Sequence, residues 1–271
     1  MLAEKKYEDI TVEISDRIAW VTINRPEAMN AIRLKTVEEL LDVFTELDLS
    51  EEVDVILLTG AGDKAFCAGG DVKEFQELFA NPTKARQYLN KWAKMIKAIR
   101  ECSKPVIAVI NGVCVGGGNE IQQACDLAIA SEDARIGQVG PRVGSTPIFG
   151  GIQYMSFYVG DRRARYQMYT TELWTAKEAE QIGLINKAVP KEKLREEAEN
   201  LAKKILANSP QAIRAVKIWI NYIHALMAPT YDFAVEVTTR IWNTDEAREG
   251  IRAFLEKRKP EWDKYRYYKP I

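Results

Sequence analysis

PVIAVINGVCVGGGNEIQQACD, residues 105–126, decides how the chain is read. Its first six residues form a continuous apolar run, the pattern of a strand buried on both faces. The run passes through Asn111-Gly112 into Gly116-Gly117-Gly118 and then into a segment of helical character that reaches about Asp126. Glycines at a strand-to-helix turn let a ligand approach the backbone closely. The helix that follows leaves its first N–H groups without intrahelical partners, and its dipole favours negative charge there. LAIA at 127–130 is a further strand.

The same alternation extends upstream. TVEI at 11–14 and IAWVTI at 18–23, separated by Ser15, Asp16 and Arg17, predict a hairpin that Asn24-Arg25-Pro26 ends. Val37, Leu40, Leu41, Phe44 and Leu47 recur at helical spacing over 35–48, and VDVILL at 53–58 is a buried strand closed by Thr59-Gly60-Ala61-Gly62. A helix is expected at about 83–101. Strands alternating with helices imply an α/β core with largely parallel strands, whose sites lie at strand-to-helix turns. After Pro190 the pattern is helical only, at 191–207, 210–225 and about 229–257. The expected organisation is an α/β core over 1–190 and a helical region over 191–271.

Composition narrows the function. At 271 residues, 46% hydrophobic and 28% charged, the chain matches a soluble globular protein, and no apolar run is long enough to cross a bilayer. MLAEKKYEDI lacks the apolar stretch of a secretory signal, so a cytoplasmic location is expected. Thirty-eight Lys and Arg against 39 Asp and Glu leave no field to draw nucleic acid. Cys67, Cys102, Cys114 and Cys125 lack C-x-x-C spacing and read as buried reduced thiols, with no metal site. Nucleotide-loop, zinc-protease and serine-hydrolase signatures are absent. The single histidine, His224, falls in a late amphipathic helix and reads as a packing or surface residue.

A second glycine turn lies upstream, in Lys64-Ala65-Phe66-Cys67-Ala68-Gly69-Gly70-Asp71-Val72-Lys73. Two such turns contributing one N–H each would make an oxyanion hole. Taken alone, the glycines also suit tight turns, and Glu120 suits a helix-dipole or capping role. Asp71 and Asp126 suit caps and loop hydrogen bonds.

The pairing of F-C-A-G-G-D with N-G-x-x-x-G-G-G-x-E resembles the signature of the crotonase (enoyl-CoA hydratase/isomerase) superfamily. The similarity runs from INRPEAMNA at 23–31 through AKEAEQIGLINKAVP at 176–190. It implies a spiral core of repeated ββα units with a C-terminal helical oligomerisation region. It places the oxyanion-hole donors at Gly70 and Gly117 and the first catalytic carboxylate at Glu120. An acyl-CoA groove would be shaped by Ala68, Gly69, Asp71 and Val72. Such a site suits thioester chemistry, because an enolate needs its carbonyl oxygen stabilised and each preorganised N–H lowers the barrier by about 3 kcal/mol.

Hydratases of this family carry a second glutamate in a segment like G-Q-P-E, whereas this chain has Gly137-Gln138-Val139-Gly140. GQVGPRVGS at 137–145 and TDEAREGIRAFLEKRKPEW at 244–262 resemble the dihydroxynaphthoyl-CoA synthase branch, in which bicarbonate or another carboxylate fills the place beside the glycine. Glu120 and Thr146-Pro147-Ile148 depart from that branch and are more similar to hydrolases that open cyclic oxo-enoyl-CoA thioesters. Gln138, Gly140 and Ser145 would line the acyl pocket. Three functions stay open: enoyl-CoA hydration or hydrolytic ring opening, synthase-type cyclisation, and acyl-CoA binding without turnover. Coenzyme A would enter only as part of the thioester substrate, with no other cofactor. The resemblance also implies a homotrimer or a hexamer of paired trimers; Ile218, Trp219, Tyr222, Phe233, Val237, Ile241 and Trp242 suit burial there and equally suit the core. The basic, tyrosine-rich tail, Tyr267 included, would cover a site or stay solvated.

Overall fold

Residues 5–225 and 229–265 are described by the computed structural model. Strands β1 (Ile10–Ser15) and β2 (Ile18–Ile23) form the antiparallel hairpin, turned by Asp16 and Arg17, both at positive φ. Primed hairpin turns demand that conformation. Helix α1 (Leu34–Leu49) leads to β3 (Val55–Gly60). The strand starts two residues later than the apolar run suggests, and the Asp54 carboxylate pairs with Arg17 at the hairpin turn.

From β3 the chain repeats one unit three times. β3 is followed by β4 (Ala65–Cys67) and the helices α2 (Val72–Phe79) and α3 (Pro82–Glu101). β5 (Val106–Ile110) is followed by β6 (Val113–Val115) and α4 (Gly117–Ala124), and β7 (Leu127–Ser131) by β8 (Arg135–Gly137), α5 (Gly151–Val159) and α6 (Asp161–Thr170). Each unit gives its first strand to one sheet and its second to another. With β9 (Trp174–Thr175), α7 (Ala176–Gln181) and β10 (Lys187–Val189), the sheets read β1-β2-β3-β5-β7-β10 and β4-β6-β8-β9. All pairings are parallel except β1 with β2 and β8 with β9. This is the ββα spiral of the crotonase fold.

Both faces of the larger sheet are buried, which explains its continuous apolar strands. Ile56, Leu58, Ala108 and Ile110 join a core with Leu40, Phe44 and Leu47 of α1 and Met95, Ile96 and Ile99 of α3. Val55, Leu57, Ile107 and Val109 face the other way, onto Leu194, Ala198 and Ala202 of α8 (Leu194–Leu206). At about 1.5–3 kcal/mol per fully buried aliphatic side chain, these two layers dominate the stabilisation. The helices α9 (Pro210–Ala225), α10 (Pro229–Trp242) and α11 (Asp245–Leu255) follow. The helical stretch expected over 229–257 is thus two helices, because the Thr244 hydroxyl accepts from Ala247 N at 3.2 Å and starts a new one. Among the described residues, no helix is long and apolar enough to cross a membrane. All four cysteines are buried and unbridged.

Candidate active site

The two glycine turns meet because the first is anchored from two directions. The Asn30 side chain, buried, donates to Ala65 O at 2.7 Å and Ala61 O at 3.0 Å, and the Ala68 amide donates to Met29 O at 3.1 Å. Ile32 then forms an isolated parallel bridge with Gly70: Ile32 N donates to Gly69 O and Asp71 N to Ile32 O, each at 2.8 Å. A parallel bridge uses the groups flanking its central residue, so the Gly70 N–H is directed away from it.

The second turn arrives through β6. Gly116 N donates to Gly137 O at 3.0 Å, and α4 begins at Gly117. The helix crosses the end of β4 so closely that a Cβ on Gly118 would lie 2.2 Å from Cys67 O. Gly69, at φ +95°, lies against the start of α4, where its own Cβ would come within 3.2 Å of Gly117 N. Among the described residues neither Gly70 N–H nor Gly117 N–H donates to a backbone or side-chain acceptor. Both glycines line one cavity of about 150 Å³.

Glu120 lines the same cavity from the first turn of α4. Its Oε1 accepts from Phe149 N at 2.5 Å, and the Gly151 amide is a second donor. Burial still outweighs these two hydrogen bonds and raises the carboxyl from its usual 4.5 to about 8. Desolvation of the charged form wins over stabilisation by N–H dipoles. Gly117 and Glu120 therefore share one short helix. The segment that holds Glu120, Thr146 to Gly151, is the one in which the sequence departs from the synthase-like pattern.

Of the residues expected in the groove, Ala68, Gly69, Val72, Gln138, Gly140 and Ser145 line the cavity with Gly70, Gly117 and Glu120. Asp71 is not among its lining residues: its carboxylate accepts from Lys73 N at 3.2 Å, capping α2, and pairs with Arg25 at 3.0 Å. Tyr267 lies outside the described residues. Gln138 is fully buried, and neither its amide oxygen nor its nitrogen has a partner among the described residues. Its Nε2 and Glu120 Oε1 both lie against Gly151, 2.8 Å and 3.4 Å from where a Cβ there would stand. A Cβ on Gly140 would come within 3.0 Å of Ser145 O. Ser145 Oγ accepts from the Trp242 indole at 3.0 Å.

The aromatic wall was not read from the sequence. Phe75, Tyr88, Trp92, Phe149, Trp242 and Phe254 supply the aromatic part of the cavity lining. Trp92 stacks on Phe149 with centroids 5.8 Å apart, and Trp242 packs on Phe75 and Phe79 at 5.0 and 4.8 Å. Trp242, which suited either a subunit contact or the core, is a buried pocket residue: α10 packs on α3, and the Trp242 ring reaches Phe75 and Phe79 of α2. The available signal was the spacing of Tyr88 and Trp92, four apart on one face of α3, which on its own reads as ordinary core.

Residues 13–265 match the family model for enoyl-CoA hydratase/isomerase. Among solved structures, the chain is similar to an enoyl-CoA hydratase from Bacillus anthracis, with 32% identity, a TM-score of 0.76, and 93% of this chain and 98% of that one covered. It is also similar to an enoyl-CoA hydratase from Mycobacterium avium subsp. paratuberculosis K-10, with 26% identity, a TM-score of 0.82, and coverage of 94% and 99%. Pseudomonas aeruginosa DspI gives 31% identity, a TM-score of 0.76, and coverage of 96% and 99%. With two glycine turns converging on one cavity and a buried glutamate beside them, the chain belongs to the enoyl-CoA hydratase/isomerase family of acyl-CoA enzymes.

Proposed function

We propose that the protein adds water to an acyl-CoA thioester through an enolate, either hydrating an enoyl group or opening a cyclic acyl group hydrolytically. The observation that carries this is the placement of Gly70, Gly117 and a single buried carboxylate, Glu120, around one small cavity. In the proposed reaction the ionised Glu120 takes a proton from water. The resulting hydroxide adds to the β-carbon, and the electron pair passes through the α-carbon to the thioester oxygen. Amides 70 and 117 hold that oxygen, each lowering the barrier by about 3 kcal/mol. Glu120 then returns the proton to the α-carbon. With a ring ketone, water adds to the ketone carbon, the bond to the α-carbon breaks, and the same enolate is protonated. Gln138, buried beside Glu120 with its amide unpaired, is placed to orient the water.

Gly140 cannot supply a second carboxylate, and the Ser145 carbonyl oxygen stands in the direction its side chain would take. A backbone acceptor there disfavours an anion, so the proposed steps pass through none. That favours the one-carboxylate routes over synthase-type cyclisation. Assembly into a trimer or hexamer belongs to the same proposal. It is supported by Ile218, Trp219, Tyr222 and Ile223, which α9 leaves well exposed, and by Phe233 on α10.

The test is incubation with linear, cyclic and aromatic CoA thioesters in D2O, followed by mass spectrometry. Gain of one water with one carbon-bound deuterium identifies a single water addition, to an enoyl group or across a ring-ketone bond, and gain of two identifies hydration with ring opening. Loss of a water identifies cyclisation and overturns the proposal, as does binding of every thioester without turnover.

A further inference from the structure

A peptide group is planar and trans, so its C=O and N–H point in opposite directions. The Phe149 N–H that Glu120 accepts shares a peptide group with the Ile148 carbonyl, and that carbonyl accepts from Gln153 Nε2 at 3.0 Å. The Gly151 N–H, the second donor to Glu120, shares one with the Gly150 carbonyl, which accepts from Tyr154 N at 2.7 Å. Both donors to the carboxylate are thus the far ends of peptide groups held from behind by the first turns of α5.

The first of these anchors is a side chain. Gln153 is 2% exposed, and its Oε1 also accepts from Gly150 N at 3.0 Å, so one amide grips the loop on both sides of Phe149. A glutamine at the third helical position often reaches back to the N-cap N–H and does no more than cap the helix. Here the Nε2 bond falls on the peptide group that serves Glu120. Residues 147–151 are buried, so without Gln153 the Ile148 carbonyl and the Gly150 N–H would lose their partners and the loop would have to turn to find others. Gly150, at φ +103°, has no side chain to resist that turn. No other charge competes for the carboxylate within the cavity. Among the residues lining it, the only other titratable side chain is Tyr88, whose hydroxyl burial keeps protonated.

We propose that Gln153 is the positioning residue for Glu120: by holding the Ile148–Phe149 peptide group it aims the Phe149 N–H at the carboxylate and so favours the ionised, proton-accepting form. This rests on the reading of Glu120 as the proton carrier and adds what prepares it. A hydrogen bond to the charged form of a carboxyl makes it easier to ionise, and burial opposes that here.

The test is infrared difference spectroscopy of the whole protein without substrate, titrated from acid to alkaline pH. The protonated carboxyl band of Glu120 is assigned by its absence in Glu120→Gln. Gln153→Met fills the space without the two hydrogen bonds, and the band should persist to a pH about 1–2 units higher than in the wild type, the worth of one hydrogen bond to a charged group. Gln153→Asn keeps a buried amide that is one methylene too short to make both bonds. It should move the band the same way, and it carries the test if Gln153→Met does not fold. A residue that only stabilised the fold would lower the urea midpoint and leave the titration in place. A titration that stays put in a folded variant, or moves to lower pH, overturns this inference alone. Because no thioester takes part, a CoA panel without turnover would overturn the reading of the reaction and leave this titration to be judged on its own.

Discussion

Phe149 donates its main-chain N–H to Oε1 of Glu120 at 2.5 Å, joining a loop that precedes α5 to the first turn of α4. The bond fixes a carboxylate that burial would otherwise drive further toward its neutral form.

A carboxyl raised to about 8 sets the pH dependence of the reaction. Water activation requires the ionised form, so kcat/KM should rise with pH and level off above about 8. Glu120→Gln should lower kcat by about 10²–10⁴-fold and abolish the inflection. Stopped-flow or coupled assays from pH 6 to 9.5 check this, and a profile that falls through that range would assign Glu120 the acid role instead.

The raised carboxyl also makes Glu120 a pH-dependent burden on stability. Below about 4.5 the group is protonated in both folded and unfolded chains and contributes no difference. Between 4.5 and 8 the unfolded chain ionises while the folded one keeps its proton, so stability falls as pH rises, by about 1.4 kcal/mol for each pH unit crossed. Glu120→Gln should therefore be more stable than the wild type at pH 8–9, with the gain shrinking toward pH 5. Urea titrations at both pH values measure it.

Gly118→Ala should unfold the site rather than tune it. The added methyl would stand 2.2 Å from Cys67 O, a backbone atom that cannot rotate away. Overpacking of this kind costs about 1–3 kcal/mol or more, and separating α4 from β4 would also part the two amides. Expected are a lowered urea midpoint and lost turnover together.

Ser145 serves the pocket through Trp242, whose indole it accepts at 3.0 Å. Ser145→Ala leaves a buried N–H unpaired and should cost about 1–3 kcal/mol of stability. Because α10 would loosen over the cavity, KM should rise more than kcat falls.

The apolar face of α9 predicts its own result. Trp219→Glu with Ile223→Glu should dissociate the proposed trimer, which light scattering reads directly. A wild-type chain already monomeric at micromolar concentration would remove that part of the proposal.

The strands at 106–110 and 127–131 were legible as continuous apolar runs, and helix α1 from apolar residues at helical spacing. β4, β6 and β8, three residues each, are too short to show any period, so only the ββα units implied by the resemblance anticipated them. Glu120 and the glycines were legible as a local motif. Tyr88, Trp92 and Trp242 were not, since nothing in one chain separates an aromatic residue facing a cavity from one facing a core. Asp71 shows the opposite limit: it adjoins Gly70 in sequence, yet its carboxylate pairs with Arg25.

The most direct measurement is a crystal structure with acetoacetyl-CoA, whose enolate mimics the charged state. The thioester oxygen is predicted within about 3 Å of both Gly70 N and Gly117 N, with a Glu120 oxygen facing the α-carbon. A bound thioester whose oxygen meets neither amide would contradict the account.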